Sequence, residues 1–188
     1  MGDSRDPERT RAALLDAALV EFSEKGRAGA RTSAIAARAG VNKQLISHHF
    51  GGKDGLYDAL VARWTAEEAG YGGPDVALGD LVARYVEDGV RHRDLHRLLL
   101  RASLEDAEAG GGVDREDLAD LRRRQAAGEV TDELDPAFVL LLLQAAAAAG
   151  VVFPGDARRL TGEDPASEAF AAWHAGQLRR LVRLLGRS

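Results

Sequence analysis

Apolar residues recur at helical spacing along almost the whole chain, and this narrows the available folds more than any other feature. Leu15, Ala18, Leu19 and Phe22 fall at i, i+3, i+4 and i+7. So do Tyr57, Leu60, Val61 and Trp64, then Leu95, Leu98, Leu99 and Ala102, then Leu178, Leu181, Val182 and Leu185. This spacing puts each set on one face of a helix, whereas the two-residue alternation of a half-buried strand is missing. The pattern predicts an all-α protein. Three stretches rich in helix-stopping residues divide it: Gly70-Tyr71-Gly72-Gly73-Pro74, Gly110-Gly111-Gly112, and Pro154-Gly155 through Pro165. A chain of 188 residues has room for one small domain and one larger one. The division expected is a three-helix N-terminal domain over residues 1–53, a connecting helix and break over 54–74, and a larger helical domain over 75–188.

The segment from Arg31 to Phe50 has the layout of two short helices joined by a tight turn. Thr32 is placed to cap the first helix by accepting a hydrogen bond from an otherwise unpaired backbone amide, and Ile35 with Ala36 gives that helix a narrow apolar face. Gly40 suits the left-handed conformation that ends a helix, Val41 plugs the turn, and Asn42 is a good cap for the second helix. Cap, turn and plug together make a helix-turn-helix signature. The second helix carries Lys43, Gln44, Ser47 and His48 outward, with Ile46 and Phe50 left to anchor it. In helix-turn-helix proteins the start of that helix enters the major groove, so Lys43 and Gln44 are placed for base edges and Leu45 for a thymine methyl. Thr32, Ser33, His49 and Lys53 are expected nearer phosphate.

Charge agrees with that placement. The net charge of −5 argues against a chain that simply coats nucleic acid, yet no acidic residue stands between Glu24 and Asp54. Lys25, Arg27, Arg31, Arg38, Lys43 and Lys53 fall in that window and make a basic patch in an acidic protein. Cysteine is absent, which excludes disulfides and thiolate metal sites and fits a reducing cytoplasm. The first residues, Met1-Gly2-Asp3-Ser4-Arg5-Asp6, lack the apolar stretch of a secretory signal. The longest apolar run, Phe138 to Phe153, is broken by Gln144 and bracketed by Pro136 and Pro154. It is shorter than the roughly 20 residues a spanning helix needs, so no membrane partner is expected.

Residues 8 to 64 resemble the DNA-binding domain of the TetR family of transcriptional regulators. Three stretches carry the resemblance: Arg11 to Ala18 leading to Phe22 and Gly26, Thr32 to Gly40, and Val41 to Leu56. The last is the most specific. The resemblance implies that His49 and Phe50 close the recognition helix, that Lys53 caps the phosphate contacts from the start of the next helix, and that Leu56 and Tyr57 continue that helix. It further implies a homodimer on a palindromic double-stranded operator, with the last two helices joining a partner's copies in a four-helix bundle. A small-molecule effector of unknown identity would relieve repression. Many relatives have Gly-Thr-Leu-Tyr in the recognition helix where this chain has Gln44-Leu45-Ile46-Ser47, so operator preference does not transfer.

Beyond residue 70 the sequence pattern carries the reading. The faces that contain Leu81 and Tyr85, then Leu98, Leu99 and Ala102, then Leu121 are candidates to enclose an effector pocket. The 137–152 helix is apolar nearly all round and the helix from Ala166 to Leu185 keeps a strong stripe. Leu141, Ala145, Ala149, Trp173, Leu178 and Leu181 are the candidates for the dimer interface; an internal core role for the 137–152 helix is the alternative. Asp88, His92 and His96 stand at i, i+4 and i+8, a spacing that metal ligands on a helix would share. However, the polar run Arg91-His92-Arg93-Asp94 reads as a break between helices. Hence no metal, catalytic residue or cofactor is expected. His174 reads as an interface or core histidine, and Gly110-Gly111-Gly112 lacks the Lys-Ser/Thr of a phosphate loop. Arg122-Arg123-Arg124 reads as a solvated helix end. The rival to a DNA-reading regulator is a helix-turn-helix scaffold that binds protein without operator specificity.

Overall fold

The computed structural model describes residues 6–68, 70–73, 75–105 and 115–186. The Gly110-Gly111-Gly112 break, Pro74 and the first five residues lie outside the described residues. Among the described residues there are ten α-helices and no strand: α1 (Pro7–Gly29), α2 (Thr32–Ala39), α3 (Gln44–Phe50), α4 (Lys53–Glu68), α5 (Leu78–Arg91), α6 (Arg93–Glu105), α7 (Arg115–Ala126), α8 (Pro136–Val152), α9 (Pro154–Thr161) and α10 (Glu168–Leu185). They form two compact units, one of residues Met1–Ala69 with Arg97–Gly111, the other of Gly70–His96 with Gly112–Ser188. This division differs from the boundaries expected at 53 and 74.

In the first unit, α1 opens with Pro7 at its first position and Asp6 as its cap, the Asp6 side chain accepting a hydrogen bond from the Glu8 amide. It bends at Gly26, whose φ of 69° lies outside the helical region. Leu14, Leu15, Ala18 and Phe22 of α1 are buried together with Ile35 of α2, Ile46 of α3, and Leu56, Tyr57, Leu60 and Trp64 of α4. Each fully buried side chain of this size contributes about 1.5–3 kcal/mol relative to exposure. This burial explains why α4 belongs to the first unit rather than standing apart as a connector. The Phe22 and Tyr57 rings meet edge to face with centroids 5.4 Å apart.

The second unit has its own core of Leu78, Val82 and Val86 from α5, Leu121 from α7, Val139 and Leu143 from α8, and Ala175, Leu178 and Val182 from α10. Two expectations change here. The break after α8 contains a further helix, α9, because Pro154 sits at its first position, where a missing amide hydrogen does no harm. Arg124 is not part of a solvated helix end: only 2% of its side chain is exposed, and it bonds Asp120 at 2.6 Å, Glu129 at 2.8 Å and the Val76 carbonyl at 2.8 Å. Its neighbours Arg122 and Arg123 are exposed as expected. Burial raises the Asp120 carboxyl pKa, but the bonds and charges of Arg124 and Arg123 outweigh this and leave it lowered, so the buried arginine keeps its counter-charge. Among the described residues no single helix is long and apolar enough to cross a membrane.

Candidate nucleic-acid interface

The helix-turn-helix is built by local hydrogen bonds. Gly40 ends α2 with φ 65° and ψ 33°, and the Val41 amide returns to the Ala36 carbonyl at 3.0 Å. Lys43, not Asn42, stands at the cap position of α3 and makes no side-chain bond there; Asn42, one residue earlier, accepts the Gln44 amide through Oδ1 at 2.9 Å. The Thr32 cap does not form: Thr32 is the first helical residue, Arg31 occupies the cap position, and no cap side chain bonds an amide there. Glu21 of α1 takes over, its Oε1 accepting the Arg31 amide at 3.2 Å and the Lys25 ammonium at 2.7 Å. Glu21 is only 2% exposed, yet its carboxyl lies below the usual range. The Lys25 bond lowers it most, burial opposes, and the Arg31 amide with the charges of Lys25 and Arg38 completes the shift. Sequence reasoning missed this group because it lies one helix upstream of the end it serves.

Helix α3 is anchored by Ile46, 1% exposed, and presents Lys43, Gln44, Ser47 and His48 to solvent along with Asn42. Leu45 and His49 are half-buried, and they line a surface groove with Pro7, Thr10, Val41, Asn42 and His48. Ser33 is exposed and Thr32 half-buried at the start of α2. Arg11, not among the residues expected from sequence, places its guanidinium 5.2 Å from the Phe50 ring centroid and so brings a cation to the end of α3.

The basic window divides into tied and untied cations. Lys25 is held by Glu21, and Arg27 by Asp54 at 3.0 Å and by the Tyr57 ring at 4.9 Å. Lys53, expected near phosphate, donates its ammonium to the Ala28 and Ala30 carbonyls at 3.2 and 3.4 Å. Arg31, Arg38 and Lys43 are exposed, and none has an ion-pair partner among the described residues.

The residues expected around an effector do not share one unit. Leu81, Tyr85 and Leu121 lie in the second, with Leu81 and Tyr85 half-buried and Leu121 at 1% exposure in the core, while Leu98, Leu99 and Ala102 lie in the first. Of the residues expected between two copies, Leu141 is 63% and Trp173 46% exposed, Ala145 is exposed, and Ala149 and Leu181 are half-buried. Leu178 is instead buried in its own chain's core at 5% exposure, on the inward face of α10. His174, also in α10, is 9% exposed between the Phe170 and Trp173 rings. Burial lowers its pKa against an opposing hydrogen bond to the Ala146 backbone.

The expected break between α5 and α6 falls at His92, but it does not separate the three polar residues. Asp88, 2% exposed, accepts the Tyr71 hydroxyl at 2.5 Å and stands 3.0 Å from His96 Nε2 and 3.6 Å from His92 Nε2. Among the described residues no group of three His, Asp or Glu side chains has the arrangement to hold a metal ion.

Comparison with known proteins agrees with this geometry. Residues 14–60 match the family described as "Bacterial regulatory proteins, tetR family", and residues 77–180 match "Tetracyclin repressor-like, C-terminal domain". The chain is 34% identical over 168 residues to the HTH-type transcriptional repressor SCO4008 of Streptomyces coelicolor, a match covering 85% of this chain and 87% of that protein. It is 44% identical over 54 residues to the HTH-type transcriptional regulator BetI of Paraburkholderia phytofirmans, covering 29% of this chain and 28% of that one. The fold is shared with the transcriptional regulator SCO4942 of Streptomyces coelicolor, with a TM-score of 0.76 and 24% identity over 94% of this chain and 98% of that one. These relatives are regulators rather than enzymes. The chain therefore belongs to the TetR family of helix-turn-helix transcriptional regulators.

Proposed function

We propose that the protein is a cytoplasmic repressor that binds a palindromic operator as a homodimer and leaves it when a small molecule binds the second unit. The observation that carries the reading is the α3 face. Lys43, Gln44, Ser47 and His48 are exposed from a short helix held by one buried isoleucine, in a window without acidic residues. Lys43 and Gln44 serve base edges, Leu45 a thymine methyl, and Ser33, Thr32, His49 and Lys53 the flanking phosphates, with Arg38 exposed beside them.

The proposal of a dimer is supported by α8, which has no charged residue and leaves Phe138 52%, Leu141 63% and Val152 43% exposed. With Trp173 these make an apolar surface of the kind that a second copy covers. Two-fold symmetry would set half-sites about one helical turn apart, roughly 34–36 Å. An effector that prefers the released state by about 1–3 kcal/mol would weaken DNA binding roughly 5- to 150-fold. Footprinting on DNA flanking the protein's own gene is the test. Two protected, symmetry-related half-sites are expected; equal affinity for scrambled DNA would contradict the reading and favour the scaffold role.

A further inference from the structure

From the α1 side of the reading hairpin, we infer that Arg11 is a DNA-phosphate contact, held ready beside the end of α3 by stacking on Phe50. The inference rests on the reading of α3 as the base-contacting helix. Arg11 is exposed and, unlike Lys25 and Arg27, it has no ion-pair partner among the described residues. Its guanidinium carbon stands 5.2 Å from the ring centroid of Phe50, the half-buried last residue of α3. A guanidinium on a ring face is fixed in orientation while the N–H donors at its edge stay available, which suits the fork that arginine offers to phosphate oxygens.

The place fits the path of a DNA backbone. Arg11 follows Pro7 by four residues and so shares its face of α1. On that face Pro7 and Thr10 line a groove whose other side is formed by Leu45, His48 and His49 of α3. The His49 and Phe50 ring centroids lie 6.2 Å apart, so Arg11 stands where the groove meets the end of α3. From Gln44 to Phe50 the helix advances about 9 Å, at roughly 1.5 Å per residue. The major groove is about 8.5 Å deep. With Gln44 at base edges, the Phe50 end of α3 therefore comes level with the phosphates that border the groove. Arg11 supplies a permanent cation there, where α3 itself has only histidines.

The test is Arg11→Met, which still covers Phe50 but carries no charge, titrated with operator and scrambled DNA over a salt series well below the melting temperature. A phosphate contact weakens binding to both DNAs alike, by about 10-fold at roughly 0.1 M salt for each bound subunit, and lowers the slope of log affinity against log salt by about 0.9 per subunit. Arg11→Lys, which keeps the charge, retains the wild-type slope. Arg11→Gln repeats the loss of slope and serves if Arg11→Met does not fold. Weaker binding with an unchanged slope and a lower melting temperature would show that Arg11 only covers Phe50, and would overturn the inference. Unchanged affinity and slope would overturn it too. No operator preference in the wild type would overturn the reading of α3 itself, and the inference with it.

Discussion

Helices α3 and α8 stand in opposite relation to water. The first has seven residues, buries Ile46 and turns Gln44, Ser47 and His48 outward. The second has 17 residues, buries Val139, Leu143 and Gly150, and turns Phe138, Leu141, Leu142 and Val152 outward without a single charge. A short polar helix cannot hold its own conformation and must be fixed by a side-chain bond at its start and by neighbours, as Asn42 and Ile46 do. A long apolar helix holds its shape easily but leaves surface that water does not favour. In the proposed reading the exposed face of each serves a different partner: base edges and phosphates for α3, another apolar surface for α8.

The largest effect is expected at α8. If α8 forms the proposed two-fold interface, Leu141→Arg places a charge there twice and should weaken dimerisation by 100-fold or more, since central interface residues are worth about 2 kcal/mol or more each. Sedimentation equilibrium reads this directly. Because Leu141 is exposed in the single chain, its monomer should keep its helical content. A variant that stays dimeric at low micromolar concentration would separate α8 from the interface.

Ile46→Ala acts on the other side of the comparison by removing the only buried anchor of α3. A loss of about 2–4 kcal/mol in the stability of the first unit is expected in denaturant unfolding. A loss below about 0.5 kcal/mol would mean that the Asn42 bond alone holds the helix.

Lys43→Ala should leave stability within about 0.5 kcal/mol of wild type, because the side chain is exposed and has no ion-pair partner among the described residues. It should weaken operator binding by about 1–3 kcal/mol and alter the preference at one base pair. Isothermal titration against operator variants checks it, and uniform binding to all variants would place Lys43 outside the bases.

The smallest effects are proton-linked. The Glu21 pKa is lowered in the folded state, so its contribution is complete above the ordinary carboxylate range and is lost as pH falls through the lowered value. Glu21→Gln should flatten the acid limb of a stability profile. The His174 pKa is also lowered, by burial, so the folded state resists protonation. Stability is fully present above about pH 6.5 and declines below it as the unfolded chain takes up the proton. Melting temperatures of wild type and His174→Asn at pH 7.5 and 5.5 should converge at the lower value; parallel lines would show that His174 takes no part.

Legibility in the sequence followed the range of the interactions. The all-α class, the break at His92 and the Gly40–Asn42 turn depend on neighbours within a few residues, and pattern alone located them. Two expectations failed because the groups that decide them are distant in sequence. The cap at Arg31 comes from Glu21, and Arg124 is buried by Val76 and Glu129. Charged side chains look alike in sequence whether they meet water, a phosphate or another helix. The inward face of α10 posed the same difficulty, since Leu178 and Leu181 lie on one stripe but differ in burial.

The most direct test of α3 as the reading helix is a complete set of single base-pair substitutions across one half-site, titrated with wild type and with Gln44→Ala. The expected result is that wild type discriminates at several positions by about 1–3 kcal/mol each, and that Gln44→Ala loses discrimination at one position while keeping the others. If the two proteins give the same profile at every position, Gln44 does not read a base and the placement of α3 is contradicted.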